Sequence, residues 1–183
     1  MKHESPPKRL AVDAFARSMG SIKGQDILSN YPRLMQEAQG LGGDNPLNWA
    51  ARGVLQQDGR ATEQVWLHVS VAVLVPLACQ RCLLSAEVPV SIERTFRFVG
   101  SEEEAQAQDA EADEDVLVLS DEFSLCDLIE DEVLMDLPLI PKHEVCPVPV
   151  KLAVADVGFE TAQSERQQPF AVLGQLKSGK SDL

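Results

Sequence analysis

The chain has 183 residues, 44% hydrophobic and 25% charged, enough for one globular domain with extensions and without any need for two. Its net charge of -13 looks hostile to nucleic acid, but 15 of its 29 acidic residues fall within residues 102–136, which hold no Lys or Arg; the rest carries 16 basic against 14 acidic residues and is close to neutral. No apolar run reaches the roughly 18 to 20 residues a membrane helix needs, and residues 1–9 have no apolar stretch behind them of the kind a secretory signal carries, so the expected setting is a reducing cytoplasm where four cysteines are ligands, core residues or idle thiols rather than a disulfide framework.

In chain order, residues 1–48 are mildly basic and broken by Gly20, Gly24, Pro32 and Gly40. Residues 13–17 predict a short helix, and Leu34, Met35 and Ala38 a second apolar patch after Pro32. Asn45-Pro46 closes this part, and residues 49–150 are expected to form a β-rich core. Residues 49–56 predict a first strand running into an Asp58-Gly59 turn. Residues 64–98 then carry the strongest pattern in the chain. Val65, Leu67, Val69, Val71, Val73, Val75 and Leu77 are apolar at every second position, the period of one face of a strand. Leu84, Ala86, Val88, Val90, Ile92, Phe96 and Phe98 repeat that period on even numbers. Two such arms around Cys79-Gln80-Arg81-Cys82 predict a long antiparallel hairpin whose tip carries two thiols at metal-ligand spacing.

Residues 101–115 are Glu, Asp, Gln and Ala with no large apolar side chain, a composition that predicts a disordered insert. Residues 116–119 predict a short strand. Ser124 is the expected N-cap of a helix over residues 125–137, with Asp127 in its first turn and Pro138 ending it. Leu125, Leu128, Ile129, Val133 and Leu137 form its packing stripe, Cys126 lies one position off it and packs, and Glu130, Asp131, Glu132 and Asp136 are expected towards solvent. Residues 151–183 are expected to be a polar linker followed by a short helix opening at Pro169, with Phe170, Val172, Leu173 and Leu176 behind it.

His143 and Cys146, after a proline-stiffened segment, form a second short-spaced pair. Together with Cys79 and Cys82 they make four candidate ligands for a tetrahedral zinc ion. The spacing also fits the plainer alternative of reduced thiols at a hairpin tip, a solvent histidine and a packed Cys146. A thioredoxin-like role for Cys79 and Cys82 is disfavoured, because the pair sits between strands and not at a helix N-terminus that would lower a thiol pKa.

For catalysis the chain offers little. His3, His68 and His143 are its only histidines, the consecutive carboxylates Glu130, Asp131 and Glu132 cannot share one helix face, and no phosphate-binding glycine loop or nucleophile elbow occurs. No enzyme and no small-molecule substrate are expected. Arg81, Arg94 and Arg97 are the candidate contacts to RNA or to a partner, but the basic residues are too scattered to make a groove.

Cys-Gln-Arg-Cys after a Val-rich strand, an acidic insert, Asp127-Leu128-Ile129-Glu130-Asp131-Glu132 running into Leu137-Pro138-Leu139-Ile140-Pro141, then His143 and Cys146, and a terminal Gln168-Pro169-Phe170-Ala171-Val172-Leu173 together resemble the bacterial YceD family. The likeness spans residues 12–177. It implies a role in the accumulation or processing of large-subunit (23S) ribosomal RNA, with no catalytic activity. Some relatives carry further cysteines after the position of Cys146; here residues 147–183 hold no Cys or His, so a metal would take His143 or a water as its fourth ligand. The expected fold is α+β, a predominantly antiparallel sheet on the long hairpin with one main helix packed on it, its closure into a barrel left open. The expected partner is the precursor large subunit, through its RNA or a basic ribosomal protein. The alternative is a zinc-stabilised adaptor whose acidic segment binds a basic protein.

Overall fold

Alternation of apolar and polar residues along one uninterrupted hairpin dictates the architecture. The computed structural model describes residues 4–57, 63–109, 112, 114–150, 154, 156 and 158. Met1–Pro147 and Val148–Leu183 form two separate units. The first contains, in order, α1 (Val12–Arg17), β1 (Ser21–Ile27), a 3-10 turn (Leu28–Asn30), α2 (Pro32–Glu37), β2 (Pro46–Gln57), β3 (Glu63–Ala78), β4 (Ser85–Val99), α3 (Glu102–Asp109), β5 (Asp115–Val118) and α4 (Leu125–Asp136). The described residues of the second unit contain no helix or strand. The expected Asp58-Gly59 turn, the polar linker and the helix at residues 169–177 lie outside the described residues.

The five strands form one open sheet in sequence order, not a barrel. β1 to β4 are antiparallel neighbours, and β4 pairs parallel with β5 from Phe96↔Asp115 to Val99↔Val118. The hairpin register sets Val65 opposite Phe98, Val71 opposite Ile92 and Val75 opposite Val88. The odd-numbered apolar row of β3 therefore meets the even-numbered row of β4 on one face, as the period requires. Leu47, Trp49 and Ala51 of β2 extend that face, and α1, α2 and α4 cover it with Val12, Ala16, Leu34, Leu125, Ile129 and Val133. Burial of each large side chain in this layer contributes about 1.5 to 3 kcal/mol. α1 approaches β2 so closely that a Cβ on Gly53 would lie 2.8 Å from the Ala16 Cα, and only glycine leaves that room.

On the opposite face Val99 at the end of β4 is buried, as is Ala105 of α3, which packs beside β4 and β5. That face also presents small and polar side chains around an open depression of about 570 Å³ whose floor includes Ala50, Ser70, Ala72 and Ser91.

Three features depart from the expectations, and a further one, the direction of β5, lay outside them. β1 falls where only helices were expected: its core-facing side carries Ile22, Gly24 and Asp26, so it shows no apolar period. The buried Asp26 carboxylate accepts from the Ile27 amide at 2.9 Å and from Asn30 Nδ2 at 2.6 Å, fixing the turn into α2. The acidic insert, expected to be disordered, forms α3: the Ser101 Oγ accepts from the Glu104 amide at 3.2 Å, three glutamates occupy the first turn where the helix dipole favours them, and Ala105 is buried. β5 joins the sheet parallel, because α3 carries the chain across to the edge of β4 instead of reversing it. Finally, α4 has the expected Ser124 cap, accepting from the Asp127 amide, but Glu130 and Glu132 are buried rather than solvated.

Candidate metal centre

β3 ends at Ala78 and β4 starts at Ser85, so six residues make the reversal. The Cys79 amide donates to the Leu84 carbonyl at 2.9 Å and the Leu83 amide to the Cys79 carbonyl at 2.8 Å, a closure that turns Leu83 to φ +60°. After α4, Pro138, Pro141 and Pro147 keep the chain extended as a strap that returns to this tip. The Gln80 amide donates to the Pro141 carbonyl at 2.9 Å, and the Arg81 guanidinium donates to the carbonyls of His143 and Glu144.

These contacts bring Cys79, Cys82, His143 and Cys146 together, with one ligand atom from each lying within 4.8 Å of the others. Cys79 Sγ is 3.9 Å from Cys146 Sγ, and Cys82 Sγ is 3.4 Å from His143 Nδ1. A tetrahedral zinc ion with thiolates and an imidazole at their usual bond lengths would separate sulfurs by about 3.8 Å and sulfur from nitrogen by about 3.6 Å. The donor set fits the ion in type, number and spacing.

The surroundings fit as well. His143 Nε2 lies 3.0 Å from the Ser85 carbonyl, so the proton sits on Nε2 and the Nδ1 lone pair faces the thiols, the arrangement usual for a metal-bound histidine. Cys79 is buried, which works against its thiolate, but the amides of His143, Cys82 and Arg81 directed at its sulfur outweigh burial and bring its pKa down to about 5. Cys146 is pushed the other way, to about 11, by burial and by the neighbouring sulfurs of Cys82 and Cys79. A cation in their midst would remove that mutual repulsion. Cys126 of α4 stands apart, turned into the core, with its thiol pKa raised by desolvation.

The three candidate contact arginines do not meet. Arg81 clasps the strap. Arg94 lies on the helix-covered face, its Nε 3.4 Å from Glu132 of α4, whereas Arg97 points to the open side, its Nε 2.9 Å from Glu114 and its guanidinium 5.9 Å from the Trp66 ring centre. Sequence reasoning missed what the acidic run does next to them. Glu130 Oε1 accepts from the amides of Arg33 at 2.7 Å and Leu34 at 3.3 Å, capping α2 from another helix, and Glu130 Oε2 takes the Arg33 Nε at 3.0 Å. Asp131 holds the other end of that guanidinium, and Glu122 pairs with Arg9 at 2.6 Å. The spacing of Cys126 and Glu130, one turn apart, was the available signal: the side of α4 that buries the thiol must also bury the carboxylate.

The molecule is thus an open α+β sheet whose hairpin tip is tied to the strap by a Cys3His cluster, a candidate metal site. Residues 67–177, more than half of the chain and inclusive of all four clustered side chains, match the model of a family described as large ribosomal RNA subunit accumulation protein YceD. The chain belongs to the YceD family, which ties it to the accumulation of large-subunit ribosomal RNA. No solved structure matches it.

Proposed function

We propose that this chain supports the accumulation of large-subunit ribosomal RNA in the cytoplasm as a non-catalytic factor that binds a basic protein of the precursor subunit. One zinc ion at Cys79, Cys82, His143 and Cys146 ties the strap to the hairpin tip and keeps that end of the molecule in shape. Residues 49–150 are the working part, residues 1–48 its support and residues 151–183 an extension.

The observation that carries this reading is how the arginines are used. Arg9, Arg33, Arg94 and Arg97 each face a carboxylate from within residues 102–136, and Arg81 is spent on carbonyls. RNA contact through Arg81, Arg94 or Arg97 would first have to break those pairs. Meanwhile Glu102, Glu103 and Glu104 project from the first turn of α3 with nothing basic beside them among the described residues, a surface suited to a cationic protein. Among the described residues that line the depression on the other sheet face, Lys23 and Glu93 are the charged groups, on opposite sides of a small-residue floor.

Depleting the protein should lower the ratio of large- to small-subunit ribosomal RNA, and precursor ends mapped in the same cells should show whether it acts before or after trimming. An unchanged ratio overturns the proposal. Binding to the precursor particle should survive nuclease and weaken with salt; binding lost to nuclease and to Arg94→Glu would favour direct RNA contact instead.

A further inference from the structure

We propose that the knotted tip is also a self-association surface, through which two copies of this chain pair about a twofold axis. Leu83 is 77% exposed, Leu84 44%, Leu139 99%, Ile140 68% and Val145 84%. All five lie within four residues of a clustered cysteine or histidine, and the bonds from Gln80 to Pro141 and from His143 to Ser85 bring their two segments side by side. At those exposures they present on the order of 600 Å² of mainly apolar surface, the upper end of what one patch on a monomer leaves in water. Doubled across a twofold axis this gives roughly 1,200 Å², the lower bound of a specific interface.

The charge around the patch selects the occupant. Arg81 and Lys142 stand beside Glu87 and Glu144, all four exposed, so the rim is neutral and carries both signs. A basic protein or a phosphate backbone finds no complementary field there, whereas a second copy of the same rim offers both signs and can set opposite charges against each other. The acidic helix α3 does not oppose this pairing: it lies beyond the far end of β4, and a 15-residue strand spans about 50 Å, several screening lengths at physiological salt. Leu83 adds a backbone argument. At φ +60° a leucine is strained where a glycine would not be, and with its side chain in water the fold gains nothing from it. Pairing of tips would bury that side chain.

Sedimentation equilibrium of the full untagged chain from about 1 to 100 µM tests this. The average mass should rise from 20.0 kDa towards twice that value, with little change between about 0.15 and 1 M salt, because the contact is apolar. Leu83→Asp with Ile140→Asp should remain monomeric across the range, while Met135→Asp, an equally exposed position on α4, should leave pairing intact. Leu83→Gly suits the local backbone, so it removes the side chain without adding strain; losing two leucines per dimer should weaken association about tenfold or more. A wild-type chain that stays monomeric at the highest concentration, or a dimer that all the tip variants leave intact, overturns the proposal.

Discussion

Glu130 and Glu132 sit two positions apart on α4, both nearly buried, and act on different neighbours. Glu130 closes the N-terminus of α2 and holds Arg33, so Glu130→Ala should leave two amides without an acceptor and cost about 2 to 3 kcal/mol, measured by urea unfolding. Glu130→Gln retains an oxygen for those amides and should lose less than half of that. Glu132 is held in its charged form only by the half-exposed Arg94, and its pKa is raised, chiefly by burial. A carboxylate whose folded pKa lies above its unfolded value binds protons more readily when folded, so ionising it costs stability as pH rises through that interval. Glu132→Gln should therefore gain on the wild type as pH climbs from the carboxylate range towards neutrality, then hold a constant advantage. A gap between the two urea midpoints that is the same at pH 4 and pH 7 would contradict this. These roles were hard to read in the sequence because a run of consecutive acids has the composition of a solvated surface, and the arginines that pair with two of them come from α2 and β4, about 100 and 40 residues away.

The long hairpin was the most legible element, since a period of two sustained over two arms leaves one solution for register and face. β1 was not legible: Gly24 under the Trp49 ring and the buried Asp26 stand where a period would need apolar residues. α3 was misread because composition alone ignores a capping serine and one buried alanine. The four clustered side chains could be picked out by spacing, but their convergence could not, since it depends on the Pro141 and Arg81 contacts that fold the strap back on the tip. If a metal ties that strap, the full untagged chain should carry one zinc per molecule, retained by Cys126→Ser and lost in Cys82→Ser. Chelation should speed tryptic cleavage after Lys142 by about tenfold or more, as the strap opens. Zinc well below one per chain, with cleavage unmoved by chelator, would contradict the metal reading.

At the scale of the molecule, the long sheet separates two unlike ends: the hairpin tip with its exposed apolar side chains and the acidic α3. Four arginines pair with carboxylates of the acidic segment, which accounts for how so negative a run is accommodated against the body. Large-subunit RNA accumulation enters through family membership, and the chemistry of the tip and the placement of charge support a protein-binding route to it. The α+β class and the single main helix on the sheet were readable from patterning, whereas the openness of the sheet was not, because closure is decided by where the edge strands end rather than by any local period. The most direct measurement is the ratio of large- to small-subunit ribosomal RNA in cells whose only copy carries Cys82→Ser and Cys146→Ser at matched protein level. The account predicts a fall to the value of depleted cells, with Cys126→Ser keeping the wild-type ratio; full restoration by the double variant would contradict it.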